Sequence, residues 1–543
     1  MMGMRLFIVR GVAFFCMAGT EEELIHLAAI RPDDPMPRLV YADWLEDRDP
    51  ERAELIRISL RSDPGHQARE EELVRSRGHH WAGSLSSLAH TWRFHGGLVT
   101  RAEGEESLLV SGDLWRKHAV HQLRLHLSPG TRMPEAPSWP AQLRRLEIAG
   151  NEGVARGWLT RLRSALPATV EQLMLERCGL DTETTRLADR AGLFAPLGHL
   201  ELRDNRMFGD NALRALVQSS AHRLRSLTIH HANITPVALG ELLANAPFPL
   251  LEELRVVLPA AFPAGPALHA LFPKFQTGPW AGQLRHLELA GLPLGVDGYL
   301  GLALNRGLNL ERLGLAHGRV ANEGPHLLQG GAGVEGVRAL DLSGNDLETQ
   351  HVQILARSTN WSALEKLHLA RNRITDGGVK SLLEEGPIGR QLTVLDISRN
   401  RVGGPGLIAL AICTRLQFLA LGGNYLGHEA IEALWEQGAL PALEEIDFSA
   451  SPLEEKILRV LRTRPKPGLK ALALSDHAAG MLTSKPCPAL GGLLQVRLLG
   501  KPDWRLARTI FERTGALDVE FIDDGRAWRR NRHALEKQIK ASG

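Results

Sequence analysis

Apolar positions in this chain recur on two scales. Over five or six residues they alternate with polar ones, as in Leu340-Asp341-Leu342 or Leu367-His368-Leu369, the period of a strand with one buried face. These short runs then repeat at a near-constant interval. Leu146, Leu173, Leu200, Leu227 and Leu254 hold one slot every 27 residues, and Leu287, Leu313, Leu340, Leu367, Leu395, Leu419, Ile446 and Leu472 continue it. One step is longer, the 33 residues from Leu254 to Leu287. It contains a Pro- and Gly-rich stretch at about 259–282, which reads as a loop insertion. Between the strand-like runs, segments such as 209–218 and 375–385 place apolar residues three and four apart, which predicts helices.

A strand, a turn and a helix repeated at this period are the pattern of a leucine-rich-repeat solenoid, in which each unit stacks only on its neighbours. The predicted fold class is therefore an α/β solenoid. It is a leucine-rich-repeat horseshoe with a parallel inner β-sheet and outer helices, preceded by a small helical domain. The full helix in a 27-residue unit resembles the ribonuclease-inhibitor class of these repeats. About thirteen strands at roughly 4.8 Å predict an inner arc on the order of 60 Å, room for a protein domain. Three residues after the second strand leucine stands Asn372, and Asn151, Asn205, Asn345, Asn400 and Asn424 repeat the position, with Cys178 in one unit. A buried amide side chain there satisfies backbone groups that would otherwise cost roughly 1–3 kcal/mol each.

Ahead of the repeats the pattern changes. Thr20 and Glu23 form a capping-box signature; Leu24, Leu27 and Ala28 make a helical face, Pro32 and Pro35 force a loop, and Leu39, Ala42, Trp44 and Leu45 belong to a second helix. The strings DDP (33–35), RLVYADWLE (38–46) and DPERAELIR (49–57) resemble the bacterial repeat-companion domain, found ahead of leucine-rich and other repeats in planctomycetes and myxobacteria. That resemblance covers about 40 residues and implies no chemistry. Asp43 is expected to pair with Arg38 or Arg52 between helices, with Tyr41 and Trp44 as packing anchors.

The expected organisation is a start-site extension or weak signal-like leader at 1–16, the companion domain at 17–60, and a connector with N-terminal cap at 61–95. Repeats then occupy 96–500 and a C-terminal cap 501–543, the latter ending in a helix over RAWRRNRHALEKQIK from Arg526. The segment from Arg61 to Glu72 reads as a mobile connector. Met17 is the expected start; if residues 1–18 instead act as a signal peptide, the protein is secreted.

Composition adds little pull in any direction. A net charge of +2 on 543 residues gives no electrostatic reason for nucleic acid or membrane partners. Cys16, Cys178, Cys413 and Cys487 are dispersed, without a C-x-x-C pair, which fits a reducing cytoplasm and neither a zinc site nor a disulfide framework. There is no G-x-x-x-x-G-K-[ST], G-x-S-x-G or H-E-x-x-H string, so neither a catalytic site, a cofactor nor a metal is expected. Function is expected on the sheet face between the leucines, in binding an unidentified protein by a monomeric, non-catalytic scaffold. The expected contact residues are Arg145, Glu147, Glu176, His199, Glu201, Arg203, His230, Arg255, His286 and Glu288. Arg203 and Arg255 lead, since arginine combines bidentate pairing with contact area. Aspartate and serine dominate the later repeats and read as repeat consensus. Two alternatives remain: a regulatory subunit of a GTPase, protease or kinase, and a secreted surface- or carbohydrate-binding protein.

Overall fold

The structure is a computed structural model that describes residues 5–9, 12–16, 20–61, 64–110, 114–128, 130–150, 155–245, 248–258, 282–436, 438–501, 503–514, 516, 518–523 and 526–531. They divide into two compact units, Met1–Leu251 and Glu252–Gly543. The loop insertion at 259–282 and Asn151 fall outside the described residues, Gly282 excepted.

In the first unit, Arg5–Val9 and Val12–Cys16 pair as antiparallel strands. Helices Glu21–Ile30, Pro35–Leu45 and Pro50–Ser59 follow. Their starts are set locally. Thr20 Oγ1 accepts from Glu23 N while Thr20 N donates to Glu23, the expected capping box. Asp34 and Asp49 cap the next two helices, each with proline in the first turn, where its missing N–H costs nothing. Leu24, Ile25, Tyr41, Leu45 and Ile56 form the core of this bundle, completed by Leu98 and Ala119 from the chain beyond it.

Two expectations for this region are corrected. Asp43 pairs with neither Arg38 nor Arg52 but with Arg57 at 2.8 Å, while Arg52 pairs with Glu21 at 3.1 Å. Arg52 and Arg57 are five residues apart, about 140° around the helix, so the helix that buries Arg52 against Glu21 turns Arg57 outward to Asp43. The expected mobile connector is helical instead, within a single 19-residue helix, Pro64–Ala82. Arg69 holds both carboxylate oxygens of Glu54 at 2.8 Å, and Leu73 and Trp81 pack on Leu55 and Ile58. The apolar anchor therefore lies beyond the polar stretch that suggested a linker.

Strand Ala89–His95 then pairs antiparallel with Leu98–Glu105 across the Gly96-Gly97 turn. From Leu98–Glu105 onward the strands are parallel: Gln122–His126, Arg145–Ala149, Gln172–Glu176, His199–Arg203 and Ser226–His230. The leucine slot is the register. Leu123, Leu146, Leu173, Leu200 and Leu227 lie side by side, all buried. Helices such as Thr182–Arg190 and Asp210–Val217 return the chain between strands.

The second unit repeats the scheme. Parallel strands run from Glu253–Val257 to Asp518–Asp523, aligning Leu254, Leu287, Leu313, Leu340, Leu367, Leu395, Leu419, Ile446, Leu472, Val496 and Val519. Both units are thus α/β solenoids of the leucine-rich-repeat kind. The end differs from expectation. Arg526–Asn531, read as the start of a helix, is a strand antiparallel to Asp518–Asp523. Asp524-Gly525 between them is a strong hairpin dipeptide, and a returning strand pairs the backbone groups that the edge of the sheet would otherwise leave open.

The asparagine ladder forms, and each amide both holds its own turn, as Asn372 Nδ2 does by donating to Leu369 O, and links it to the preceding repeat. Asn345 Oδ1 accepts the amides of Gly318 and Val320 in the preceding repeat, and Asn345 N donates to Asn372 Oδ1. Asn400 and Asn424 extend the series, and Asn205 serves Cys178 N and Leu180 N in the first unit. Cys178 replaces the amide with a buried thiol, its pKa pushed up to about 12 by desolvation. Among the described residues, no helix is long and apolar enough to cross a membrane.

Candidate functional site

On a parallel sheet in register, the residues one before, one after and three after the slot leucine form three rows across the solvent-facing side. In the first unit these rows are Arg101, Gln122, Arg145, Gln172, His199, Ser226; then Glu103, Arg124, Glu147, Met174, Glu201, Thr228; then Glu105, His126, Ala149, Glu176, Arg203, His230. Opposite charges alternate between rows, and they find each other.

Glu147 is the hub. It is 5% exposed, and Arg101, Arg124 and Arg145 approach it at 3.7, 3.2 and 2.7 Å. Arg124 also reaches Glu103 at 3.7 Å and Glu176 at 2.8 Å. Arg145 continues to Glu201 at 3.5 Å, and Arg203 meets Glu201 at 2.5 Å. With Arg177, 2.9 Å from Glu176, five arginines face four glutamates in one connected network among the described residues. A carboxylate this buried persists only because it is surrounded by guanidinium donors. The His126 imidazole, 2.7 Å from Glu103, and the arginines beyond it hold that carboxyl below the usual range against the opposing effect of burial.

The expected contact residues sort accordingly. Arg145, Glu147, Glu176, Glu201 and Arg203 are brought together in this network. Glu147 lies at its base, while Arg203 and His199 are exposed at its edge. His230 stands beside Arg203 in register. Arg255, His286 and Glu288 belong to the second unit, where Arg255 Nε donates to Glu288 at 2.6 Å and His286 aligns with Glu253. The network also includes Arg101, Glu103, Arg124 and His126, which sequence reading passed over. Arg124 sits between Leu123 and Leu125 in the same slot as Glu147, a signal obscured by the shorter and less regular opening repeats.

The later face is organised differently. Asp341, Asp396 and Asp447 each accept the backbone amide of the serine two residues on, at 2.8, 2.9 and 2.6 Å. These aspartates tie down the strand exits. His368 lies 3.9 Å from Asp396; that carboxylate raises the imidazole pKa, and despite burial the carboxyl is held low by His368 and Ser398. Among the described residues, no three His, Cys, Asp or Glu side chains are placed to hold a metal ion.

Residues 363–383 and 390–411 match a family model described as leucine-rich repeat. No protein of curated function matches the chain. Among solved structures, the chain is similar to the yeast complex of Rad7 and Elc1, at 15% identity over 66% of this chain and 76% of that one, with a TM-score of 0.37. It is also similar to a leucine-rich-repeat protein of Leptospira interrogans, at 14% identity over 69% of this chain and 90% of that one, with a TM-score of 0.31. Likeness at this level carries no argument about activity.

Proposed function

We propose that the chain is a non-catalytic, monomeric scaffold of bacterial origin that binds a partner protein on the sheet face of its repeats, with the helical bundle at 20–59 acting as a repeat-companion domain. The observation that supports this reading is the arginine–glutamate network of the first unit, whose outer members Glu201 and Arg203 are paired yet reachable. Ion pairs between half-exposed groups contribute little to stability, so a network of them on one face is better suited to orienting a charged partner, which it does through rate and specificity. Parallel strands at ~4.8 Å give this face a width of roughly 24 Å in the first unit, enough to seat secondary structure of another protein.

The test uses a charge swap. Glu201→Lys with Arg203→Glu preserves an ion pair within the strand but reverses the pattern a partner meets. Full-length wild type and the swap variant are used to capture partners from the native host, and their circular dichroism and unfolding are compared. A partner retained by the wild type and lost by an equally stable swap variant is expected. Equal capture by both removes the sheet face of the first unit as the contact.

A further inference from the structure

A second site lies away from the sheet face, in the helical part of the first unit. A cavity of about 500 Å³ is lined by Glu21, Trp44, Arg48, Asp49, Arg52, Trp81, Lys117 and His118, among others. Its carboxylates are already engaged. Glu21 Oε1 accepts from Tyr41 Oη at 2.6 Å and Arg52 Nη1 at 3.1 Å. Asp49 accepts from Trp81 Nε1 at 2.7 Å and from Arg52 N at 3.1 Å. Its donors are not. Arg52 Nε is buried with no hydrogen-bond partner among the described residues, although the residue is only 7% exposed. Arg48 spends one N–H on Trp44 O and stacks over the Trp44 ring at 4.3 Å, leaving the rest of its fork. Lys117 at the rim is exposed and has no ion pair among the described residues.

His118 supplies the opposite function. The side chain is 5% exposed and its Nδ1 is buried without a partner among the described residues. Burial first, then the Arg52 charge, lowers the imidazole pKa to about 4, so the ring is neutral at pH 7 and in its Nε2–H tautomer presents Nδ1 as a lone-pair acceptor. Buried polar groups without partners are few in folded proteins, and each calls for a cause. Here Arg52, with an orphan donor, and His118, with an orphan ring nitrogen, both belong to the wall of the same cavity.

We propose that this cavity binds a small organic anion: a phosphate monoester or carboxylate, with a hydroxyl or N–H group and a planar or apolar body. Arg52, Arg48 and Lys117 meet the anion, His118 Nδ1 accepts from the hydroxyl or N–H, and Trp44, Trp81 and Leu114 flank the body. The volume lies within the range typical of small-molecule pockets. The site is independent of the sheet face, so a partner protein and this ligand can bind together.

The test is titration of the full chain, followed by calorimetry and by the fluorescence of Trp44 and Trp81. The probes are AMP, ribose 5-phosphate, 4-hydroxybenzoate, benzoate, inorganic phosphate and adenosine. An organic anion is expected to bind saturably in the millimolar range or tighter, and adenosine is not; whether AMP and ribose 5-phosphate or 4-hydroxybenzoate binds identifies the anion. Arg48→Gln and Lys117→Gln, both at the exposed rim, are expected to weaken binding about tenfold each, the effect of losing one charged hydrogen bond, without changing unfolding of the unliganded protein. His118→Leu is expected to abolish any preference for 4-hydroxybenzoate over benzoate. Absence of binding by every organic anion, inorganic phosphate binding as well as the organic probes, or undiminished binding in the Arg48→Gln/Lys117→Gln double variant would each overturn the proposal.

Discussion

Truncating one rung of the asparagine ladder tests the principal structural argument, and Asn345→Ala is the sharpest case. Asn345 is 0% exposed. Its Oδ1 accepts from Gly318 N at 2.8 Å and Val320 N at 3.2 Å, and its Nδ2 donates to Leu315 O at 2.9 Å and Ser343 O at 3.3 Å. Ser343 O keeps a second donor, His317 N at 2.8 Å, so the carbonyl side of the loss is softened. The two amides are left in the interior. At roughly 1–3 kcal/mol for each unsatisfied buried donor, the variant should lose about 2–5 kcal/mol locally, reduced where water enters the space vacated by the amide. Stability in a stack of repeats is nearly a sum of nearest-neighbour terms, so the loss belongs to the repeats on either side of this rung.

Hydrogen exchange of the full chain, read by mass spectrometry, resolves that locality. A loss of about 3 kcal/mol raises exchange of the Gly318 and Val320 amides roughly a hundredfold, while peptides around Leu213 and Leu458 should be unchanged. Asn345→Asp separates hydrogen bonding from packing. The carboxylate keeps an acceptor for Gly318 N but faces the Leu315 and Ser343 carbonyls without a donor, so protection falls at neutral pH. It should partly return in acid, once the carboxyl again carries a proton to donate. Wild-type protection in the alanine variant, or an aspartate variant indifferent to pH, refutes the reasoning.

Three further outcomes follow from other parts of the fold. Gly97→Ala should cost about 2–4 kcal/mol and lower the thermal midpoint: φ is +72°, and a Cβ would stand 2.2 Å from Ile56 Cγ1 and 2.8 Å from its Cα, combining backbone strain with overpacking. An unchanged midpoint would show that the turn relaxes away from the bundle. Burial first, then the Arg52 charge, lowers the His118 pKa from 6.5 to about 4; the unfolded chain therefore binds the proton more readily, and stability is full above about pH 6.5 and lost as pH falls toward 4. The shift corresponds to roughly 3 kcal/mol, read as the difference in pH-dependent urea unfolding between wild type and His118→Leu. Arg462, 4% exposed, donates to Leu482 O at 2.8 Å, Met481 O at 2.5 Å and Glu455 Oε1 at 2.8 Å. Arg462→Ala leaves those carbonyls and a carboxylate unanswered and should destabilise by about 3 kcal/mol or more; a loss below about 1 kcal/mol would place Arg462 with the surface ion pairs instead.

The repeat was legible because its signal is periodic: Leu340, Leu367 and Leu395 predict one another, and the structure sets them side by side. Features that break the period were harder. Arg526–Asn531 looked helical from its composition, although Asp524-Gly525 before it signals a hairpin. The partner of Asp43 could not be chosen from spacing alone: Arg38 lies five positions before it on the same helix, about 140° around, and Arg52 and Arg57 share the next helix, where only the packed faces decide. The cavity was invisible for a similar reason. It joins residues near positions 21, 48, 81 and 118, none of which shares a motif with another.

The recurrence of a residue also bears on where recognition resides. Asp341, Asp396 and Asp447 follow the slot residues Leu340, Leu395 and Ile446, and each holds the amide of the serine two residues on. Their repetition is accounted for by the backbone they serve. Arg124, Glu147 and Glu201 occupy the same slot in the first unit, yet the bonds they form are with one another's charges and with Glu176, Arg145 and Arg203. A backbone requirement would be met by the same residue in every repeat. Residues that change from strand to strand while keeping charge balance across the sheet satisfy some other constraint: their own mutual pairing around Glu147 and, under the function proposed above, a partner that docks on this face. The charge swap at Glu201 and Arg203 therefore probes the part of the chain whose sequence the repeat itself does not dictate.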